Sequence, residues 1–111
     1  MSSSIDILAK ITLVPTELGG RKQPIFKNSP YRPNHYFEGI QKYFTGRVYW
    51  IGEILIQDCD ELWPGSNSIA SVRFLYEDIL KEIINVGLEW QFYEGSRLVG
   101  NGQVLSIIRA C

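Results

Sequence analysis

The sequence predicts one small all-β domain, and three observations carry that expectation. A two-residue apolar alternation opens the chain, β-branched and aromatic residues gather in short runs, and Gly/Pro turn signals separate those runs. Short strands punctuated in this way imply a closed or sandwich-like antiparallel fold. At 111 residues the chain has the length of one ordinary domain, with the core expected over residues 5–108.

From Ile5 to Leu13 the positions Ile5, Ile7, Ala9, Ile11 and Leu13 are apolar, while Asp6, Lys10 and Thr12 point the other way. Successive strand side chains face opposite sides of a sheet, so this segment reads as a half-buried strand. Between Pro15 and Pro33, the prolines at 15, 24, 30 and 33 and the Gly19-Gly20 pair forbid a continuous helix and interrupt any ladder. A long ordered loop or a set of short extended pieces is expected there, and loops of that length often carry function. Asn34 to Phe37 reads as extended, and Arg47 to Ile51, rich in β-branched and aromatic residues, reads as the next strand. Pro64 to Asn67 is a turn. Strands follow at Ala70 to Phe74, with Ala70, Val72 and Phe74 on one face, and at Leu88 to Phe92, with Leu88, Trp90 and Phe92 inward. After a turn at Glu94 to Arg97, a last strand is expected from Leu98 to Ile108, with Gly100 and Gly102 permitting a bend or bulge. One segment conflicts with an all-strand reading. Asp78 to Val86 sets Ile79, Leu80, Ile83 and Ile84 on one helical face, with Asp78 as an N-cap and Gly87 as a stop.

Hydrophobic residues make up 45% of the chain and charged residues 21%, a globular composition rather than a disordered one. No apolar run reaches the roughly 18 residues that cross a bilayer. The first residues, Met1 to Asp6, lack the basic and apolar regions of a secretory signal, so a cytoplasmic protein is expected. The cysteines, Cys59 and Cys111, do not suggest a structural disulfide, and with His35 they cannot supply a four-ligand zinc site, so neither metal nor cofactor is expected. Net charge is -1, but residues 1–52 hold seven basic and three acidic side chains, and residues 53–111 hold four and nine. This polarity gives two oppositely charged faces, or is averaged away where barrel strands from both halves interleave.

Several motifs, in order along the chain, resemble those of the C-terminal domain of bacterial elongation factor Tu. They are Gly19-Gly20-Arg21, Tyr31-Arg32-Pro33, Thr45-Gly46-x-Val48, Pro64-Gly65 and the run from Glu94 to Gly102. The resemblance spans about Ile5 to Ile108 and implies a free-standing six-stranded antiparallel β-barrel of bacterial origin, with Asp78 to Val86 extended rather than helical. Between Thr45-Gly46 and Pro64-Gly65 this chain is longer, and residues 50–63 include an acidic cluster, Asp58, Asp60 and Glu61. No G-x-x-x-x-G-K-[ST] phosphate loop exists, so the chain is not expected to bind a nucleotide or hydrolyse GTP.

In that family the barrel helps hold the T stem of aminoacyl-tRNA. Carried over by motif, RNA- or partner-facing positions would be Lys22, Tyr31, Asn34, Glu94 and Gly95, with Arg21, Arg32 and Arg97 as phosphate contacts. The plainer alternative is that the glycines serve turn geometry and the arginines brace loops by bonding carbonyls. The preferred reading is a binding module for a protein. A detached barrel of this kind would mimic the factor at a partner surface, or act as an immunity protein neutralising a toxin, with Asp58, Asp60, Glu61 and Trp63 as the binding loop. An ordinary solvated acidic loop is the competing account, and exposed aromatics at Trp50 and Trp63 would speak against it. An enzyme is not expected, because His35, Cys59 and Asp60 have the chemistry of a base, nucleophile and orienter but no local signature.

Overall fold

A computed structural model describes residues 4–75 and 78–110. Six strands close an antiparallel barrel in the order β1 (Ser4–Leu13), β6 (Asn67–Leu75), β4 (Trp50–Ile56), β3 (Asn34–Tyr36), β7 (Glu89–Glu94) and β8 (Arg97–Ala110), and β8 returns to β1. Two short strands, β2 (Ile25–Phe26) and β5 (Glu61–Leu62), pair outside the barrel. The all-β barrel expected from the sequence is therefore the observed fold. No helix among the described residues is long and apolar enough to cross a membrane.

The opening alternation does what its period requires. Ile5, Ile7, Ala9, Ile11 and Leu13 are all buried, and β1 lies between β6 and β8 with Ile7 opposite Val72 and Ala9 opposite Ala70. β6 presents Ala70, Val72 and Phe74 inward, and β7 presents Trp90 and Phe92. Leu88 is only half-buried, since it precedes β7 and packs on the rim of the core.

Large rings fill the interior because glycines stand opposite them. Gly52 pairs with Phe74, Gly102 with Trp90 and Gly100 with Phe92. A Cβ at Gly100 would lie 2.4 Å from Phe92 Cζ, and one at Gly102 would lie 2.5 Å from Trp90. These glycines make room for aromatic faces, and an irregularity of the kind expected for this stretch of β8 sits beside Gly100. One register shift of β8 flanks Gly100, since Phe92 pairs with Gly100 and Tyr93 with Leu98, and the other two lie beyond Gly102 in its pairing with β1.

Three expectations need correction. β4 runs from Trp50 to Ile56, not from Arg47 to Ile51. Val48 instead exchanges hydrogen bonds with the Gln41 side chain, its N–H donating to Oε1 and its carbonyl accepting from Nε2, each at 2.9 Å. That amide belongs to an unanticipated 3-10 segment, Glu38–Tyr43, whose Ile40 is buried. Second, the expected binding loop is part strand, because Glu61 lies in β5 and pairs with Phe26 of β2, while residues 57–60 link β4 to β5. Third, Asp78–Ile83 is an α-helix, α1, so the extended conformation implied by the resemblance fails there. Leu80 and Ile84 are buried and Ile79 and Ile83 pack on the core, as the helical face required. Asp78 opens the helix as its first residue, and Gly87 follows it at φ +94°. Cys111 lies outside the described residues.

The charge asymmetry between the two halves of the sequence is used in ion pairs that join them, across strands for Asp6–Arg73 and from the long loop for Arg21 and Arg32. Arg21–Glu94, Arg32–Glu53 and Arg73–Asp6 each join a residue of 1–52 to one of 53–111. β1 and β4 both border β6, so strands distant in sequence bring opposite charges together on the outer face.

Candidate interaction surfaces

The segment from Pro15 to Pro33 is an ordered excursion held at several points. A 3-10 turn, Thr16–Leu18, begins it, β2 follows, and Tyr31 bridges to Ile54 of β4. Arg21, Tyr31 and Glu94, which the sequence nominated separately, converge at one end of this segment. The Arg21 guanidinium pairs with the Glu94 carboxylate and stacks over the Tyr31 ring, 4.8 Å from its centre, while the Tyr31 hydroxyl donates to the same carboxylate. Arg21 also donates to the Gln23 carbonyl at 3.1 Å and the Pro24 carbonyl at 3.3 Å. Burial, together with the Glu94 carboxylate, holds the Tyr31 hydroxyl far above its ordinary value, so it stays a donor throughout the physiological range. The group latches the long loop onto the β7–β8 hairpin, and its donors face carbonyls and Glu94. Here the arginine braces a loop.

The other nominated positions are more dispersed. Arg32 holds Glu53 through Nε at 3.0 Å and Nη2 at 2.9 Å. Asn34 is exposed on β3 between Ile51 and Tyr93. Gly95 turns the β7–β8 hairpin at φ +60°, and Lys22 and Arg97 are exposed with no carboxylate partner among the described residues.

The acidic segment and the long loop form one surface. β2 pairs with β5, setting Ile25 opposite Leu62 and Phe26 opposite Glu61, and the Lys27 N–H donates to the Asp60 carbonyl at 2.9 Å. Ile25 and Leu62 turn inward and are buried. By alternation Phe26 and Glu61 turn outward, and Phe26 is 49% exposed. Trp63 is 50% exposed, whereas Trp50 is half-buried against the core. Asp58, Asp60 and Glu61 are exposed, and no ion pair engages them among the described residues. Two large apolar side chains thus accompany three carboxylates.

His35 lies inside the barrel, fully buried. Trp90 Nε1–H donates to its Nδ1 at 2.9 Å, and its Nε2 meets the Gly52 carbonyl at 3.1 Å. Burial pushes its pKa down to about 4, against a smaller upward effect of the Gly52 bond. Both ring nitrogens are engaged, and neither Cys59 nor Asp60 bonds to them.

A further cluster was not anticipated. The Arg47 guanidinium sits 4.1 Å from the ring centre of Tyr36, 4.9 Å from Tyr93 and 5.8 Å from Tyr49. Its Nη2 donates to the Tyr93 hydroxyl at 2.8 Å. The interleaved basic and aromatic residues from Lys42 to Tyr49 were a visible signal. Tyr36 and Tyr93, however, come from distant strands, so only the closed barrel assembles the cluster. No family model matches the chain.

Proposed function

We propose that this chain is a non-catalytic binding module of the bacterial cytoplasm, a free-standing relative of the C-terminal barrel of elongation factor Tu that docks on a basic protein. The observation that carries this reading is the paired β2–β5 surface. It offers exposed Phe26 and Trp63 beside the carboxylates of Asp58, Asp60 and Glu61, which no ion pair engages among the described residues. Aromatic anchors supply affinity when a partner desolvates them, and the surrounding charge speeds encounter and selects partners of opposite sign. Such a module would mimic the factor at a shared surface, or neutralise a basic toxin as an immunity protein does.

The competing tRNA reading draws on Lys22, Asn34, Arg97 and the turn at Gly95. It is weakened because Arg21 and Arg32, two of its three phosphate contacts, are held by Glu94 and Glu53. Capture from source-cell lysate, with and without nuclease and at two salt concentrations, separates the two. A captured protein that survives nuclease is expected, whereas tRNA that nuclease abolishes and salt weakens would overturn the reading.

A further inference from the structure

Tyr36 on β3, Tyr49 just before β4 and Tyr93 on β7 surround one guanidinium on the outer face of the barrel. Their rings contact one another edge-on or tilted, with centres 6.0 Å apart for Tyr36 and Tyr49, 6.3 Å for Tyr36 and Tyr93, and 5.7 Å for Tyr49 and Tyr93. Aromatic faces carry negative potential, so rings gathered in this way favour a cation at their centre. The Tyr93 hydroxyl adds a directional acceptor, which suits the N–H edge of a guanidinium better than a featureless ammonium.

We propose that this cage is a receptor for an arginine side chain of a basic protein partner, and that Arg47 is the internal occupant which the incoming guanidinium replaces. The inference rests on the reading above for the class of partner. Three features make exchange feasible. Arg47 has no carboxylate partner among the described residues, unlike Arg21, Arg32 and Arg73, so no ion pair anchors it in the cage. It belongs to residues 47–49, which lie outside the sheet and follow Gly46 at φ +84°. Replacing one guanidinium by another also conserves the cation–aromatic contacts, so the exchange leaves no ring face without its cation.

The surroundings fit a cationic visitor. Tyr36 also lines an adjoining groove of about 430 Å³, whose wall includes Glu38 and Glu89, and neither carboxylate has a cationic partner among the described residues. The cage lies at the start of β4 and the acidic segment beyond its end, about 20 Å apart at the rise of a strand. An interface of ordinary size, about 800 Å² on each partner, is wide enough to span both. One basic partner would then meet two cation-seeking sites.

The test needs no partner. N-acetylarginine methylamide is titrated into wild-type protein and into Arg47→Ala, following the tyrosine ring protons by NMR. In Arg47→Ala, saturable shifts of Tyr36, Tyr49 and Tyr93 are expected, with affinity at least about fivefold tighter than wild type because the internal competitor is gone. Adding Tyr49→Leu, at an exposed position, should abolish the gain. Arg47→Lys keeps the charge but not the guanidinium fork and should also bind more tightly than wild type. Equal affinity in wild type, Arg47→Ala and Arg47→Lys, or no saturable shift while the Trp90 indole resonance reports a folded barrel, would overturn the proposal. Because the probe is a small molecule, failure here is distinct from failure of the lysate capture.

Discussion

Trp90 donates its indole N–H to His35 Nδ1 at 2.9 Å in the middle of the barrel, and that contact fixes the histidine tautomer. An indole nitrogen can only donate, so Nδ1 must be the acceptor and the ring proton sits on Nε2, facing the Gly52 carbonyl at 3.1 Å. Protonating Nδ1 would set two N–H groups against each other in a site without water access.

Acid should therefore loosen the barrel through His35. Its folded pKa, about 4, lies below the ordinary 6.5, so the unfolded chain binds the extra proton first. The contribution is complete above pH 6.5 and is lost as pH falls towards 4, amounting to roughly 3 kcal/mol at full loss. Urea midpoints at pH 7 and pH 4.5 should differ more for wild type than for His35→Gln, which does not titrate in this window. Equal pH dependence in both would contradict the assignment.

Gly100 and Gly102 should resist any side chain. Alanine at either brings a Cβ within about 2.5 Å of the Phe92 or Trp90 ring, and overpacking of this kind costs about 1–3 kcal/mol. Gly39 meets nothing within 4 Å, so Gly39→Ala should be close to neutral. Thermal unfolding of the three variants gives the comparison, and a neutral Gly102→Ala would show that the ring can move aside.

The Arg21–Tyr31–Glu94 latch should govern the loop more than the barrel. Glu94→Gln weakens the ion pair and the acceptor of the Tyr31 hydroxyl, and a loss of roughly 1–2 kcal/mol is expected for a partly buried charged bond. Amide exchange should quicken at residues 20–31 while β1 and β6 stay protected. Uniform quickening across the barrel would show that the latch supports the whole fold.

What could be read from the sequence divides along physical lines. β1 was legible because every inward position is apolar and the outward ones, Leu8 apart, are polar. β4 was largely missed because Gly52, opposite Phe74, occupies an inward position while Ile51 and Leu55 face outward, so the alternation is blurred where the barrel needs space for a ring. For α1 the spacing of Ile79, Leu80, Ile83 and Ile84 was the better guide, and the family resemblance misled. The candidate site was only partly legible. Arg21 and Glu94 were nominated singly, but their pairing across 73 positions, like the convergence of Tyr36, Tyr49 and Tyr93 on Arg47, follows from strand order. A period-two pattern tells which way a side chain points, not which strand lies beside it.

The most direct test of the docking surface compares wild type with Asp58→Asn/Asp60→Asn/Glu61→Gln and with Trp63→Ala, measuring affinity for the protein captured from nuclease-treated lysate at low and high salt. The charge variant should bind at least about tenfold more weakly and lose most of its salt dependence, and Trp63→Ala should weaken binding at both salt concentrations. Unchanged affinity and salt dependence in both variants would place the partner on another face and contradict the account.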